Sequence, residues 1–180
     1  MHKETIRRML EDKEIFADVV NALLAAGTEL FSSEDFRNLK MDFSQESVFE
    51  NETIGNVIKE SDYAIFQILI CDGTETEFVK KYLPVYAYEQ VGEIYLRKLE
   101  DRMIPVITWV LYLGVEHWDT SESIRTALEV SEEICPFVND YQIHIFRVSQ
   151  FNLDQCRMFK SRFRVVAEDL VRTRLSKKNM

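Results

Sequence analysis

Two almost uninterrupted apolar runs constrain this chain more than anything else in it. Residues 62–71 read DYAIFQILIC, and residues 103–114 read MIPVITWVLYLG. A half-exposed strand would alternate polar with apolar side chains. These runs do not alternate, and they are rich in β-branched and aromatic residues. Each therefore reads as a central strand covered on both faces, the second ended by Gly114.

The rest of the chain supplies the cover. In DKEIFADVVNALLAA, residues 12–26, Ile15, Val19, Ala22, Leu23 and Ala26 recur at helical spacing, and Gly27 follows as a stop signal. Residues 76 to about 100 are helix-like, and Pro84 must start or kink that helix. TSESIRTALEV, residues 120–130, reads as a helix with a Thr or Ser N-cap. Asn152 can cap a final helix reaching about Arg174, with Met158, Phe159, Phe163, Val166, Ala167 and Leu170 on one face. YQIHIFRV, residues 141–148, alternates like a strand, and residues 34–60 fit a strand or hairpin. This order predicts an α/β fold with a mixed central β-sheet flanked by helices. At 180 residues it is most simply a single domain, 1–180.

Composition removes several classes. Apolar residues make up 46% and aromatics 12%, too many for a disordered chain. No run approaches the ~20 apolar residues of a membrane span. The opening MHKETIRRMLEDKE lacks the apolar core of a signal peptide. Cys71, Cys135 and Cys156 are odd in number and far apart, which fits buried reduced thiols in a cytoplasmic protein better than disulfides or a zinc site. His2, His117 and His144 join no Ser-His-Asp order and no Cys-His cluster, and there is no Gly-rich phosphate loop.

Charge is unevenly spread. The chain carries a net −9, yet residues 155–180 hold eight basic side chains against Glu168 and Asp169. Arg157, Lys160, Arg164, Arg172 and Arg174, on the helix expected at about 152–174 and ahead of a short basic tail at 175–180, form a candidate DNA-binding face. The plainer alternative is a solvated face that pairs with the acidic remainder of the same chain.

Several of these segments resemble one family. DKEIFADVVNALL resembles the opening helix of the recombination-promoting nuclease / transposase-like family of the PD-(D/E)XK nuclease superfamily. PVITWVLYLGVEHWDTSESI resembles its apolar strand, Gly and Trp-containing turn before a helix, and PFVNDYQIHIF and FKSRFRVVAEDLV resemble its closing strand and helix. The resemblance spans most of residues 12–174. It implies a restriction-endonuclease-like core in which Mg²⁺ is held by an Asp on one strand and by the acid of an E-x-Q or E-x-K pattern on the next. Mg²⁺ takes hard oxygen ligands, activates water for in-line attack and stabilises the charge that develops on phosphorus.

Carried onto this sequence, the family's first motif falls on IGNVIK and its metal-binding Asp on Asn56. The second falls on ICDGTE, with Cys71 in place of the Glu and Gly73 in place of the Gln. A neutral amide, a soft thiol and no side chain at all replace the expected groups. Asp72, Glu75 and, on the opening helix, Asp18 remain as substitutes, with Asp72 and Glu75 as candidate metal ligands and Lys80 or Lys81 as candidates to position water. Asp72 reaches the Cys71 face only if a bulge at Gly73 turns it round. Otherwise Asp72 is a turn residue beside Gly, Glu75 a helix N-terminal acid, and Asp18 a solvent-facing helix residue. Three functions follow: a catalytically degenerate nuclease-fold domain that binds DNA or pairs with itself or an active relative; an Mg²⁺-dependent endonuclease with a migrated site; or a protein-interaction domain.

Overall fold

The computed structural model describes residues 3–39, 54–99, 102–118 and 120–178. It is an α/β fold built on one five-stranded mixed sheet. Helix α1 (Lys3–Glu11) and helix α2 (Lys13–Ala25) lead into β1 (Arg37–Asn38), β2 (Gly55–Glu60) and β3 (Ile65–Cys71). Helix α3 (Glu77–Arg97) carries the chain to β4 (Val106–Tyr112). The short α4 (Ile124–Ala127), β5 (His144–Arg147), the short α5 (Leu153–Cys156) and α6 (Phe163–Lys178) complete it. Strand order is β1-β2-β3-β4-β5; β2 runs antiparallel to β1 and β3, while β3, β4 and β5 are parallel.

The two apolar runs are the central strands β3 and β4, and all seven residues of β3 are buried. Alternation along them divides the core in two. Phe66, Ile68, Ile70, Trp109 and Leu111 face Ile6, Leu10, Phe16, Val20, Phe163 and Leu170 of α1, α2 and α6. Leu69, Cys71, Val110 and Tyr112 face Leu83 and Ala87 of α3. The sheet is therefore sandwiched between helices, as continuous apolar strands require. Among the described residues no helix is long and apolar enough to cross a membrane.

Three expectations change, and one open alternative is resolved. Helix α1 was not foreseen; its short apolar stripe, Ile6 and Leu10, is hidden among charges. Pro84 does not start α3 but sits inside it. Having no N–H, it leaves the Lys80 carbonyl without its helical donor, and the Thr120 hydroxyl donates there instead. The helix expected over 120–130 shrinks to α4, capped by Ser123. The helix expected from Asn152 to Arg174 is two helices: Asn152 and Gln155 form a reciprocal cap on α5, and α6 starts afresh at Phe163. Of the strand or hairpin expected over 34–60, β1 and β2 are seen, and residues 40–53 lie outside the described residues.

Asp12 joins α1 to α2: its carboxylate accepts from the amides of Glu14 and Ile15. Asp12→Ala is expected to lower stability by about 1 kcal/mol, measured by urea denaturation.

Candidate functional site

The three positions singled out by the sequence resemblance, Asn56, Cys71 and Gly73, lie at one end of the sheet. In the β2–β3 ladder Asn56 stands opposite Leu69, so Asn56, Leu69 and Cys71 share the sheet face that packs on α3. Cys71 is fully buried among Leu69, Leu83, Val110, Tyr112, Trp118 and Ile143. Burial, reinforced by the nearby Glu75 carboxylate, pushes its thiol well above the ordinary cysteine range. Aromatic rings fill the strand exit beside it. Tyr112 stands opposite Cys71 in register, its hydroxyl donates to the Glu116 carbonyl at 3.2 Å, and its ring lies 4.4 Å from that of Trp118.

Gly73 is not a strand residue. Its φ of +94° lies in the left-handed region, and a Cβ there would stand 3.2 Å from the Tyr112 hydroxyl. Pairing of β3 with β4 is unbroken as far as Cys71, so no bulge turns Asp72 onto the Cys71 face. The chain leaves the sheet at Gly73, and Asp72 and Glu75 gather instead around Lys3 of α1.

That cluster is closed on itself. Asp72 accepts from the Thr74 hydroxyl at 2.7 Å, the Thr74 amide at 3.2 Å and the Lys3 amide at 3.4 Å. Glu75 is buried, and its two oxygens accept from the Gly73 amide at 2.8 Å, the Asp72 amide at 3.0 Å and the Lys3 ammonium at 3.2 Å. Burial alone would raise the Asp72 carboxyl. The Thr74 donors and the Lys3 ammonium outweigh it and hold the group below the usual aspartate range.

The other candidates lie elsewhere. Asp18 accepts from the amides of Lys160 and Ser161 at 2.8 Å each, anchoring the α5–α6 turn to α2. Lys80 pairs with Glu77 and Lys81 with Glu129. His117 and His144 are exposed. Among the described residues no group of three or more His, Cys, Asp and Glu side chains is placed to hold a metal ion.

A polar ladder unforeseen in the sequence crosses the α3 face. The Tyr141 hydroxyl donates to Thr108 at 2.8 Å, and Thr108 donates to Gln67 Oε1 at 2.9 Å. Gln67 Nε2 donates to Gln90 Oε1, which also receives Asn56 Nδ2 at 2.9 Å. Gln67, Thr108 and Gln90 are buried, and Asn56 Oδ1 is buried without a partner. The sequence held one signal for it: Gln67 and Thr108 are polar interruptions of the two apolar runs, and they stand opposite each other in the β3–β4 register.

The basic residues do not form one face. Arg157 precedes α6 and pairs with Asp154, and Lys160 lies in the intervening turn. At about 100° per residue, Arg164 and Arg172 project on the outer side of α6, and both pair with Glu168 between them. Arg174 instead continues the stripe of Phe163, Ala167, Leu170 and Val171 past the end of the core. It has no acidic partner among the described residues, and its Nε is buried without an acceptor.

No family model matches the chain, and no curated protein or solved structure matches it.

Proposed function

We propose that the chain is a restriction-endonuclease-like, PD-(D/E)XK-type domain that has lost metal-dependent cleavage. One observation carries the reading: the three motif positions meet at one end of the sheet, but as Asn56 in a polar ladder, Cys71 in an aromatic core and Gly73 in a tight turn. The succession of α2, an antiparallel β1–β2–β3 meander, α3 and a parallel β4 supports the fold half of it. The chemical half rests on the surroundings. Mg²⁺ needs hydrated, charged oxygen ligands, whereas Cys71 lies in a dry apolar pocket and the nearby carboxylates are taken by amides and an ammonium.

Calorimetric titration with Mg²⁺ and Mn²⁺, run beside a plasmid-nicking assay, tests the proposal. Neither metal is expected to bind up to low-millimolar concentration, and the plasmid is expected to remain intact. Metal binding that Asp72→Ala abolishes, accompanied by metal-dependent nicking, would overturn it in favour of a migrated site. Fluorescence anisotropy with a short duplex separates a nucleic-acid role from a protein-interaction role. Binding that weakens steeply with salt would mark a nucleic-acid module; no binding at low salt would point to a protein-interaction domain.

A further inference from the structure

We infer that the cleft between the β4 exit loop and the end of α6 is a binding site for a phosphoryl group, with Arg174 as its principal ligand. The site does not depend on the fold family proposed above. A cavity of about 680 Å³ is lined by Val115, Glu116, His117, Gln150, Arg174 and Lys177, all but one of them polar. Its walls are tied together. The Ser149 hydroxyl donates to the Gly114 carbonyl at 2.7 Å, joining the turn after β5 to the loop after β4. Tyr112 holds the Glu116 carbonyl from beneath. The Lys177–Glu116 pair, 2.7 Å apart and exposed, bridges the cleft.

Arg174 is what needs a ligand. It lies one turn beyond Leu170 and Val171 on the inward stripe of α6, so the helix delivers its guanidinium to the cleft and not to open solvent. The other α6 arginines are matched by Glu168; Arg174 is unmatched among the described residues, and its buried Nε donates to nothing. An unmatched guanidinium at the wall of a cleft gains a charge-assisted bond from a phosphate oxygen. The guanidinium fork, the Lys177 ammonium, the Gln150 amide and the His117 ring together supply the planar and point-charge donors that phosphate takes. Glu116 sets the limit. It neutralises Lys177, so the cleft keeps one net positive charge and favours a single phosphoryl group over a dense polyanion.

Inorganic phosphate and pyrophosphate are titrated calorimetrically at constant ionic strength, with chloride as the control anion. Arg174→Gln is compared with Arg164→Gln, the same charge change on the outer face. Inorganic phosphate is expected to bind the wild type and Arg164→Gln alike, no more weakly than pyrophosphate does, and to bind Arg174→Gln at least tenfold more weakly. A labelled short duplex separates the sources: displacement by pyrophosphate makes the ligand a backbone phosphate, while pyrophosphate binding with no effect on the duplex makes it a free phosphate compound. Equal loss in the two variants, or no binding of phosphate, pyrophosphate or duplex, overturns the assignment. Should Arg174→Gln fail to fold, Gln150→Leu and Lys177→Met carry the same comparison.

Discussion

Glu75→Ala is expected to lower the free energy of unfolding by about 3–5 kcal/mol, because it strands a lysine ammonium and two backbone amides at a buried turn. The side chain of Glu75 is 1% exposed and serves three donors at once. Glu75→Gln should lose less, since an amide oxygen still accepts one of the three. The sign separates a structural carboxylate from a catalytic one. Two carboxylates held together for a metal repel each other without it, so truncating one would stabilise the apo-protein. Here truncation is expected to destabilise, because Lys3 offsets one of the two charges and the Asp72 and Gly73 amides are already bonded to Glu75. Chemical denaturation of the wild type and both variants without divalent cations reads the difference, and a Glu75→Ala protein at least as stable as the wild type would sink the structural reading. Asp72 adds a pH dependence. Its folded-state pKa lies below the unfolded one, so the unfolded chain binds more protons in the interval between them. The stabilisation is complete above the ordinary aspartate range and is lost as pH falls through the depressed value.

Whatever depends on the dominant periodicity of a segment was legible in the sequence; whatever depends on which segments meet was not. The runs at 62–71 and 103–114 announce β3 and β4 because burial on both faces leaves no polar positions, and the α/β architecture follows from them. Pro84 shows the opposite case. Nothing local says that a proline lies inside a helix, because the group that makes it tolerable, the Thr120 hydroxyl, comes from a distant loop. The break between α5 and α6 is of the same kind. Residues 157–162 carry no Gly or Pro, and the turn is held by Asp18 of α2, 142 residues away, while the positive-φ Gly27 leaves room for the Met158 backbone. Asp18 is thus a clamp, a role invisible without its partner. The division of the basic residues between two sides of α6 was within reach of helical geometry alone, since Arg174 falls in register with Leu170 and Val171 and Arg164 does not. The pairing of Asp72 and Glu75 with Lys3 was out of reach, because it needs the α1 that its charges concealed.

Asn56→Asp, which places the acid that the proposed fold would carry at this position, is expected to destabilise the protein by about 3 kcal/mol at neutral pH. The reason is the direction of the hydrogen bonds in the ladder. Gln90 Oε1 accepts from Asn56 on one side and Gln67 on the other, and a carboxylate at 56 would set oxygen against oxygen. Turning the Gln90 amide round does not help. It would face the Gln67 amide group with another donor, and turning Gln67 in response would take the acceptor away from the Thr108 hydroxyl, which already receives Tyr141. A protonated Asp can donate as Asn56 does, so the folded variant holds a proton that its unfolded chain releases near pH ~4. Its deficit against the wild type therefore grows as pH rises above that value and vanishes below it, a trend that urea denaturation at pH 5 and pH 8 resolves. Adding Cys71→Glu buries a second carboxylate among Val110, Tyr112 and Trp118, and Gly73→Gln imposes a side chain on a left-handed residue against the Tyr112 ring, at a further cost of about 1–3 kcal/mol. The triple variant is expected not to fold stably, still less to bind Mg²⁺. If it folds with wild-type stability and gains a metal-dependent heat, the strand exit still holds a nuclease geometry and the ladder does not constrain it. Failure at Asn56 alone, with the deficit vanishing in acid, would show that the direction of the ladder's hydrogen bonds sets which side chain position 56 accepts.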